Sequence, residues 1–380
     1  MLLVAEPILG ADEKAALCDV IDGGWITMGD RVQAFEQAFA TQHGVADSVA
    51  VSSCTAALHL ILQAFGLGPG DEVMVPSLTF VATINAVLYT GASPVFVDIE
   101  SLDRPLISLA DAAAKRTAKT RAVIVMHYGG YVTNGDAWRD FATSHGLLLI
   151  EDAAHAAGAA HAGALGHAAA FSFYGNKNMT TAEGGMVTAV DETVLRNVRQ
   201  MRGHGMTSGT FQRFSNRTVG YDVTMLGYNY RMDELRAAIG LAQLKNLLPW
   251  NAKRKALTAL YVRSLKQRCP EVGLPFSDWQ DTSVQSSSHH IMAVVLPEGA
   301  DRQHIIDHMR EAGVQTSNHY PAAHQFSFYR TRFPSVRLPQ TEQYAARQLT
   351  LPLHPRMNEG HVDQVVSALA NAMAAISQEA

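Results

Sequence analysis

Seven short runs rich in valine and isoleucine, spread between residues 48 and 190 with helical segments between them, predict an α/β fold on a mostly parallel sheet. The runs are nearly continuously apolar, as strands covered by helices on both faces are. The intervening "TAALHLILQAFG" and "FVATINAVLYTG" carry apolar residues at helical spacing and stop on glycine.

In chain order the strand candidates are "SVAVSS" (48–53), "EVMVPS" (72–77), "PVFVDI" (94–99), "RAVIVMHY" (121–128), "LLLIED" (147–152), "AAFSFY" (169–174) and "GGMVTAV" (184–190). Ligands of such sheets bind beyond the carboxyl ends of the strands, so the residues after each run are the ones to inspect. From 233 to about 267 the pattern is helical and is expected to break or bend around Pro249. "HHIMAVVLPEG", "ADRQHIIDHMREAG" and "EGHVDQVVSALANAMAAI" then alternate strand and helix, which predicts a smaller C-terminal α/β domain. The expected division is a large domain over 1–248 and a small one over 249–380. "SDWQDTSVQSSSHH" (277–290) is polar and reads as a mobile loop.

Composition narrows the function. The chain has 380 residues, enough for two domains, with 47% hydrophobic and 17% charged residues and a net charge of −5. An acidic balance argues against nucleic-acid binding. Cys18, Cys54 and Cys269 lie far apart and form no CxxC, so neither a disulfide framework nor a zinc site is expected, and no metal is assigned. The N-terminus lacks a basic n-region, and no uncharged apolar run reaches the roughly 20 residues of a membrane span. A cytoplasmic protein is the expectation.

Two residues at strand ends suggest chemistry. Asp152 closes "LLLIED", where it suits either a helix N-cap for "AAHAAGAA" or a crevice acid. Lys177 follows "AFSFYGN", as a solvated loop lysine or as the second member of a pair with Asp152. Such a pair is what pyridoxal phosphate (PLP) requires. The amine forms a Schiff base with the aldehyde, and the carboxylate keeps the ring nitrogen protonated. "VSSCTAALHLIL" offers a strand-to-helix turn with the helix beginning near Thr55, where the N–H groups of Thr55 and Ala56 could hold a phosphate or simply be capped. Ser172 could point at the same phosphate or be a small strand residue. Phe80 could cover a ring face or pack in the core, and His155 could sit over the other face or be structural.

The ordered segments "GWITMG", "SSCTAALHL", "GPGDEVMVPSLTFVATINAV", "HYGG", "EDAAHAAGA", "FSFYGNKNMTTAEGGM", "GYNYRMDELRAAIGLAQL" and "LPLHP" resemble the DegT/DnrJ/EryC1/StrS aminotransferases from about residue 5 to 375. The resemblance implies a fold-type I, aspartate aminotransferase-like PLP enzyme acting on keto sugars, mostly nucleotide-linked, as a homodimer with shared active sites. It implies Lys177 as the Schiff-base lysine, Asp152 as the pyridinium partner, and Thr55, Ala56 and Ser172 as phosphate ligands. Phe80 matches the stacking aromatic, and His155 a position near the opposite ring face. Asn229 matches the asparagine reaching the other subunit's cofactor phosphate. Trp25, Thr27 and Gly29 lie in the turn beside the sugar pocket, within an N-terminal substrate-side segment of about 1–30. Arg231 matches a contact to an amino-acid carboxylate or between subunits, and His319 and Tyr320 a segment at the active-site mouth.

Cys54 departs from the glycine of many relatives, and "SSSHHIMAVVLPEG" matches only in outline. Lysine rather than histidine at 177 favours transamination over dehydration. The expected reaction is ping-pong transfer from L-glutamate to a nucleotide-linked 4-keto-6-deoxy sugar, the choice of C4 resting on His155. The alternatives are a cyclitol or 3-keto-sugar acceptor, another PLP reaction type, or a regulatory member that binds without turnover.

Overall fold

The computed structural model describes residues 1–208, 220–283 and 285–379, with side chains to 375. Its centre is a seven-stranded sheet of β1 (Ser48–Val51), β2 (Glu72–Pro76), β3 (Ser93–Val97), β4 (Thr120–Met126), β5 (Leu148–Asp152), β6 (Ala168–Ser172) and β7 (Gly185–Ala189). Their order is β1-β7-β6-β5-β4-β2-β3. β7 runs antiparallel to both of its neighbours, and the other pairings are parallel. All seven predicted strands are present; six stop one or two residues short of the carboxyl end of their apolar run, where the chain leaves the sheet, and β5 runs to the end of its own at Asp152.

Successive side chains of a strand point to opposite faces, and each face has its own apolar layer. Ala50, Met74, Val123, Val125, Leu149, Ala169 and Met186 face one layer with Phe35 and Phe39. The alternate residues Val49, Val51, Val73, Val75, Ala122, Ile124 and Ala170 face the other with Leu58, Ile61 and Ile84. Both layers are needed because these strands have no wet side; burying each aliphatic chain contributes roughly 1.5–3 kcal/mol. Helix α1 (Ala11–Gly23) packs against the helix Glu234–Leu244, while α2 (Asp30–His43), α3 (Cys54–Ala64) and α4 (Val81–Tyr89) contribute to the two layers. Val32, Phe35 and Phe39 fall on one face of α2 and are fully buried. Gly240 lets the helix Glu234–Leu244 approach, since a Cβ there would meet the Phe35 ring at 2.7 Å.

The expected break around Pro249 falls just before that residue. One helix covers Glu234–Leu244 and a second Leu247–Arg268, parted at Lys245–Asn246. Pro249 sits in the first turn of the second helix, where its missing N–H costs nothing. The C-terminal part holds the antiparallel pair β8 (Met292–Val295) and β9 (Gln348–Leu351). Around the pair pack Leu257, Tyr261, Ile305, Met309, Val362 and Val366. The 277–290 stretch is irregular, as expected, but Ser286, Ser288, His289 and His290 are buried rather than swung into solvent. Val284 lies outside the described residues.

The N-terminal residues lace distant parts together. Leu2 N donates to Gly313 O and Leu2 O accepts from Gln315 N, while Leu353 N donates to Val4 O. A few residues on, Gln243 Nε2 donates to Ile8 O and to Glu13 Oε1, both at 2.7 Å, and Gln243 Oε1 accepts from Thr180 N at 3.3 Å. No described helix is long and apolar enough to cross a membrane.

Candidate active site

β5 and β6 are neighbours, so residues leaving their carboxyl ends emerge side by side. Asp152 is the last residue of β5 and is 3% exposed. After β6 the chain reverses into β7 through 173–184, a turn fastened by Phe173 N to Gly184 O and Thr181 N to Phe173 O, both 2.9 Å. Lys177 lies in that turn. Burial in the crevice lowers its pKa to about 8, although the nearby Cys54 and Asp152 favour the charged amine.

No helix follows Asp152, so it is not an N-cap; residues 153–167 form turns. Its Oδ1 accepts from Ala154 N at 3.1 Å and its Oδ2 from the Thr83 hydroxyl at 2.6 Å. Thr83 is in turn bonded to Thr79 at 2.8 Å. Burial pushes the carboxyl pKa up, opposed by the Thr83 and Ala154 hydrogen bonds and by the charges of Lys177 and His127. Behind it His127 Nε2 lies 2.9 Å from Glu151 Oε2. Glu151 also accepts backbone N–H groups from Gly163, Leu165 and Gly166.

A helix N-terminus meets the same crevice. α3 begins at Cys54, one residue before the predicted Thr55, with Ser53 as N-cap. Ser53 Oγ accepts from Ala56 N at 3.1 Å, so that amide, a predicted phosphate donor, is engaged by the cap here. Thr55 N–H belongs to the first turn, where amides have no intrahelical acceptor. Ser172 pairs across the sheet with Gly185, which pairs on its other side with Val51. A Cβ on Gly185 would lie 2.5–2.7 Å from the Ser53 carbonyl and Cys54 N, so glycine is what admits the α3 turn beside Ser172. Ser172 Oγ accepts only a long bond, 3.4 Å from Tyr174 N. The Cys54 thiol is buried, and burial followed by the Asp152 charge pushes its pKa well up, so it stays protonated.

Aromatic groups flank the crevice. Phe80, N-cap of α4, is 57% exposed, which overturns the core-packing alternative, and its ring lies 6.2 Å from that of Tyr320. His155 is buried, with Nδ1 accepting from Gly129 N at 3.3 Å and Nε2 lying 2.8 Å from the Tyr320 hydroxyl. Burial, then Lys177 and the other histidines, drive its pKa well down. A neutral ring that accepts at Nδ1 carries its proton on Nε2 and donates it to Tyr320. His319 Nδ1 bonds Thr350 Oγ1 at 3.1 Å, and burial lowers its pKa to about 4.

The remaining predicted residues lie farther out. Trp25 is half-buried and Thr27 exposed, in the turn leading to Gly29. Glu234 fixes that turn by accepting N–H groups from Gly29, Arg31 and Val32 at 2.8–3.0 Å. Asn229 is exposed and Arg231 half-buried; Ser52 N donates to Tyr230 O at 2.8 Å, which ties their segment to the approach to α3. Among the described hydrogen bonds none links Asn229 or Arg231 to Lys177. The sequence reading missed Thr83, Asn178 and His290. Asn178 is bonded to His290 Nδ1 at 2.8 Å, and the His290 ring lies 4.2 Å from that of His155.

An amine of lowered pKa, a buried carboxylate, a helix N-terminus beside a serine, and an exposed aromatic face form a donor set that fits PLP. The family model of the DegT/DnrJ/EryC1/StrS aminotransferases matches residues 7–370. The chain belongs to this family. It is similar to the aminotransferase TlmJ from Streptoalloteichus hindustanus, with 30% identity and a TM-score of 0.91 over 99% of this chain and 100% of that one. DesV of S. venezuelae, solved with a ketimine intermediate, is 33% identical, with a TM-score of 0.85 over 94% and 93%. Spr1654 from Streptococcus pneumoniae, described as a sugar aminotransferase, is 25% identical; its PLP form gives a TM-score of 0.87 over 97% of each chain. A PMP form of Spr1654 matches with a TM-score of 0.88 over 99% and 98%. This DegT/DnrJ/EryC1/StrS protein is therefore a fold-type I, PLP-dependent aminotransferase, whose family takes an amino-acid donor and a keto-sugar acceptor.

Proposed function

We propose that this aminotransferase moves the amino group of L-glutamate onto the ketone of a nucleotide-linked 4-keto-6-deoxy sugar. The two half-reactions would alternate in one crevice, in a cytoplasmic homodimer. The observation that carries the reading is the emergence of Lys177 and Asp152 from adjacent strands into one buried space.

Bound there, PLP supplies an electron sink that stabilises a carbanion beside the transferred nitrogen. Lys177 is the attachment point and the base: with a pKa lowered to about 8, its Nζ takes and returns a proton near neutral pH. Asp152, aimed by the Thr83 hydroxyl and Ala154 N–H, would set a negative charge against the ring nitrogen. Thr55 N–H and Ser172 Oγ bind the phosphate, and Ala56 N–H joins them if Ser53 releases it. Phe80 would cover one ring face and neutral His155, held by Gly129 and Tyr320, the other. Trp25 and Thr27 are assigned to the sugar side, with His319 and Tyr320 at the mouth. Asn229 reaches the partner subunit's phosphate site, and Arg231 meets a donor carboxylate or the partner. Residues 1–248 would then act as the cofactor domain and 249–380 as the smaller one closing against it.

The test supplies PLP-loaded enzyme with L-glutamate alone and measures 2-oxoglutarate and pyridoxamine phosphate. A panel of 4-keto, 3-keto and cyclitol ketones is then scored for loss of pyridoxamine phosphate. Formation with glutamate and consumption by 4-keto-6-deoxy nucleotide sugars is expected. Consumption only by cyclitols or 3-keto sugars would overturn the acceptor assignment, and no exchange with any amino acid would overturn catalysis.

A further inference from the structure

The helix Leu247–Arg268 carries Asn251, Arg254, Thr258 and Tyr261 at intervals of three and four residues, hence along one face, and all four are buried. The ends of this row are tied down. Asn251 donates to Ala157 O at 2.9 Å and accepts from Asn178 Nδ2 at 2.7 Å, and the Tyr261 hydroxyl donates to Pro352 O at 2.9 Å. The middle is not. Arg254 is 4% exposed, and its Nε and one Nη have no hydrogen-bond partner among the described residues, nor has the Thr258 hydroxyl.

Two buried histidines adjoin the row. His354, two residues beyond the Pro352 that holds Tyr261, is 2% exposed, with neither ring nitrogen bonded. His290 donates Nδ1–H to Asn178 Oδ1, which leaves its buried Nε2 without a partner. The charge of Arg254 is felt by both rings. Burial lowers the Arg254 pKa to about 9, so the guanidinium still carries its charge at neutral pH, and a buried charge without a counter-charge is strongly unfavourable. Glu6, the acid whose charge reaches His354, is already engaged by Arg356 at 3.3 Å.

We propose that Arg254, Thr258 and His354 form an internal binding site for a small monovalent anion, a carboxylate or a halide. The guanidinium N–H groups supply charge and direction, and the hydroxyl and imidazole N–H complete the donor set. The site is separate from the phosphate cradle at α3. It is joined to the crevice through His290, which contacts His155 and is hydrogen-bonded to Asn178, the residue after Lys177. The assignment does not rest on the proposed acceptor or on the role of Lys177, so it can fail without them.

Crystals of the PLP-loaded enzyme soaked in bromide are expected to show an anomalous peak within about 3.5 Å of the Arg254 guanidinium. Adding excess L-glutamate separates the two sources. Replacement of the peak by carboxylate density assigns an amino-acid ligand, and persistence assigns an inorganic anion. Absence of both bromide and carboxylate density at Arg254 overturns the proposal. In solution, about 100 mM bromide should raise the apparent Tm of the wild type by about 2–4 °C and leave that of Arg254→Gln unchanged. Equal rises in both also overturn it. The diffraction result needs no variant, so a poorly folding Arg254→Gln would not leave the question open.

Discussion

At pH 7 an amine with a pKa of about 8 is neutral about a tenth of the time, whereas an ordinary lysine is neutral roughly once in three thousand. That difference makes Lys177 a usable nucleophile and base. Loading of PLP onto the apoenzyme should therefore quicken nearly tenfold per pH unit below about 8 and level off above it. A midpoint near the ordinary lysine value in stopped-flow absorbance would refute the assignment. Lys177→Ala should bind PLP without the lysine adduct and lose turnover by about 10²–10⁴-fold or more. Asp152→Asn preserves shape but removes the charge proposed to lie opposite the ring nitrogen. It should lower kcat by about 10²–10³-fold with little change in Tm, read by steady-state kinetics alongside melting. The lysine and the acid were legible in the sequence because each directly follows an apolar run. Thr83 was not, since within "FVATINAV" it is one more helical residue. Only the approach of α4 to the end of β5 makes it the partner of Asp152. His290 was hidden likewise in a polar stretch whose burial no local pattern reveals.

At the scale of elements, one carboxylate and one glycine set the crevice walls. Glu234 satisfies three of the orphan donors at the start of α2 while lying in the first turn of its own helix. Glu234→Ala strands those buried N–H groups and should cost about 2–4 kcal/mol in urea denaturation. It should also disturb the Trp25–Thr27 turn, raising KM for the acceptor more than for the donor. Gly185→Ala pushes a methyl into the Ser53–Cys54 peptide. It should cost about 1–3 kcal/mol and weaken PLP binding, measured by titration, because β7 and the first turn of α3 must separate. The parallel strands announced themselves through unbroken valine and isoleucine. β9, "QLTL", did not, because four residues with two polar members match no template until Met292–Val295 pairs with them. The break falls before Pro249 rather than at it, because proline is as welcome in a first helical turn as it is disruptive later.

For the whole molecule, the proposed dimer makes the exposed Tyr221, Val223 and Leu226, beside Asn229, the first place to look for subunit contacts. Leu226→Glu should shift the mass measured by light scattering toward the monomer and lower PLP occupancy with it. An unchanged mass would remove this segment from the interface. The return of strand and helix in a C-terminal part beyond the central sheet was readable from the change in rhythm. How the two are fastened was not, because it depends on the lacing by residues 2–13. Those residues grip 313–315 and Leu353 at one end and Gln243 at the other, and Gln243 also holds Thr180 in the lysine turn. Between Val4 and Ile8 an extended chain spans at most about 14 Å. The lacing is thus a leash of fixed length: the C-terminal part can rock over the crevice but cannot swing away from it. Small-angle scattering with and without PLP should accordingly show nearly the same radius of gyration, and cutting the leash between Val4 and Ile8 should be what sets the two apart.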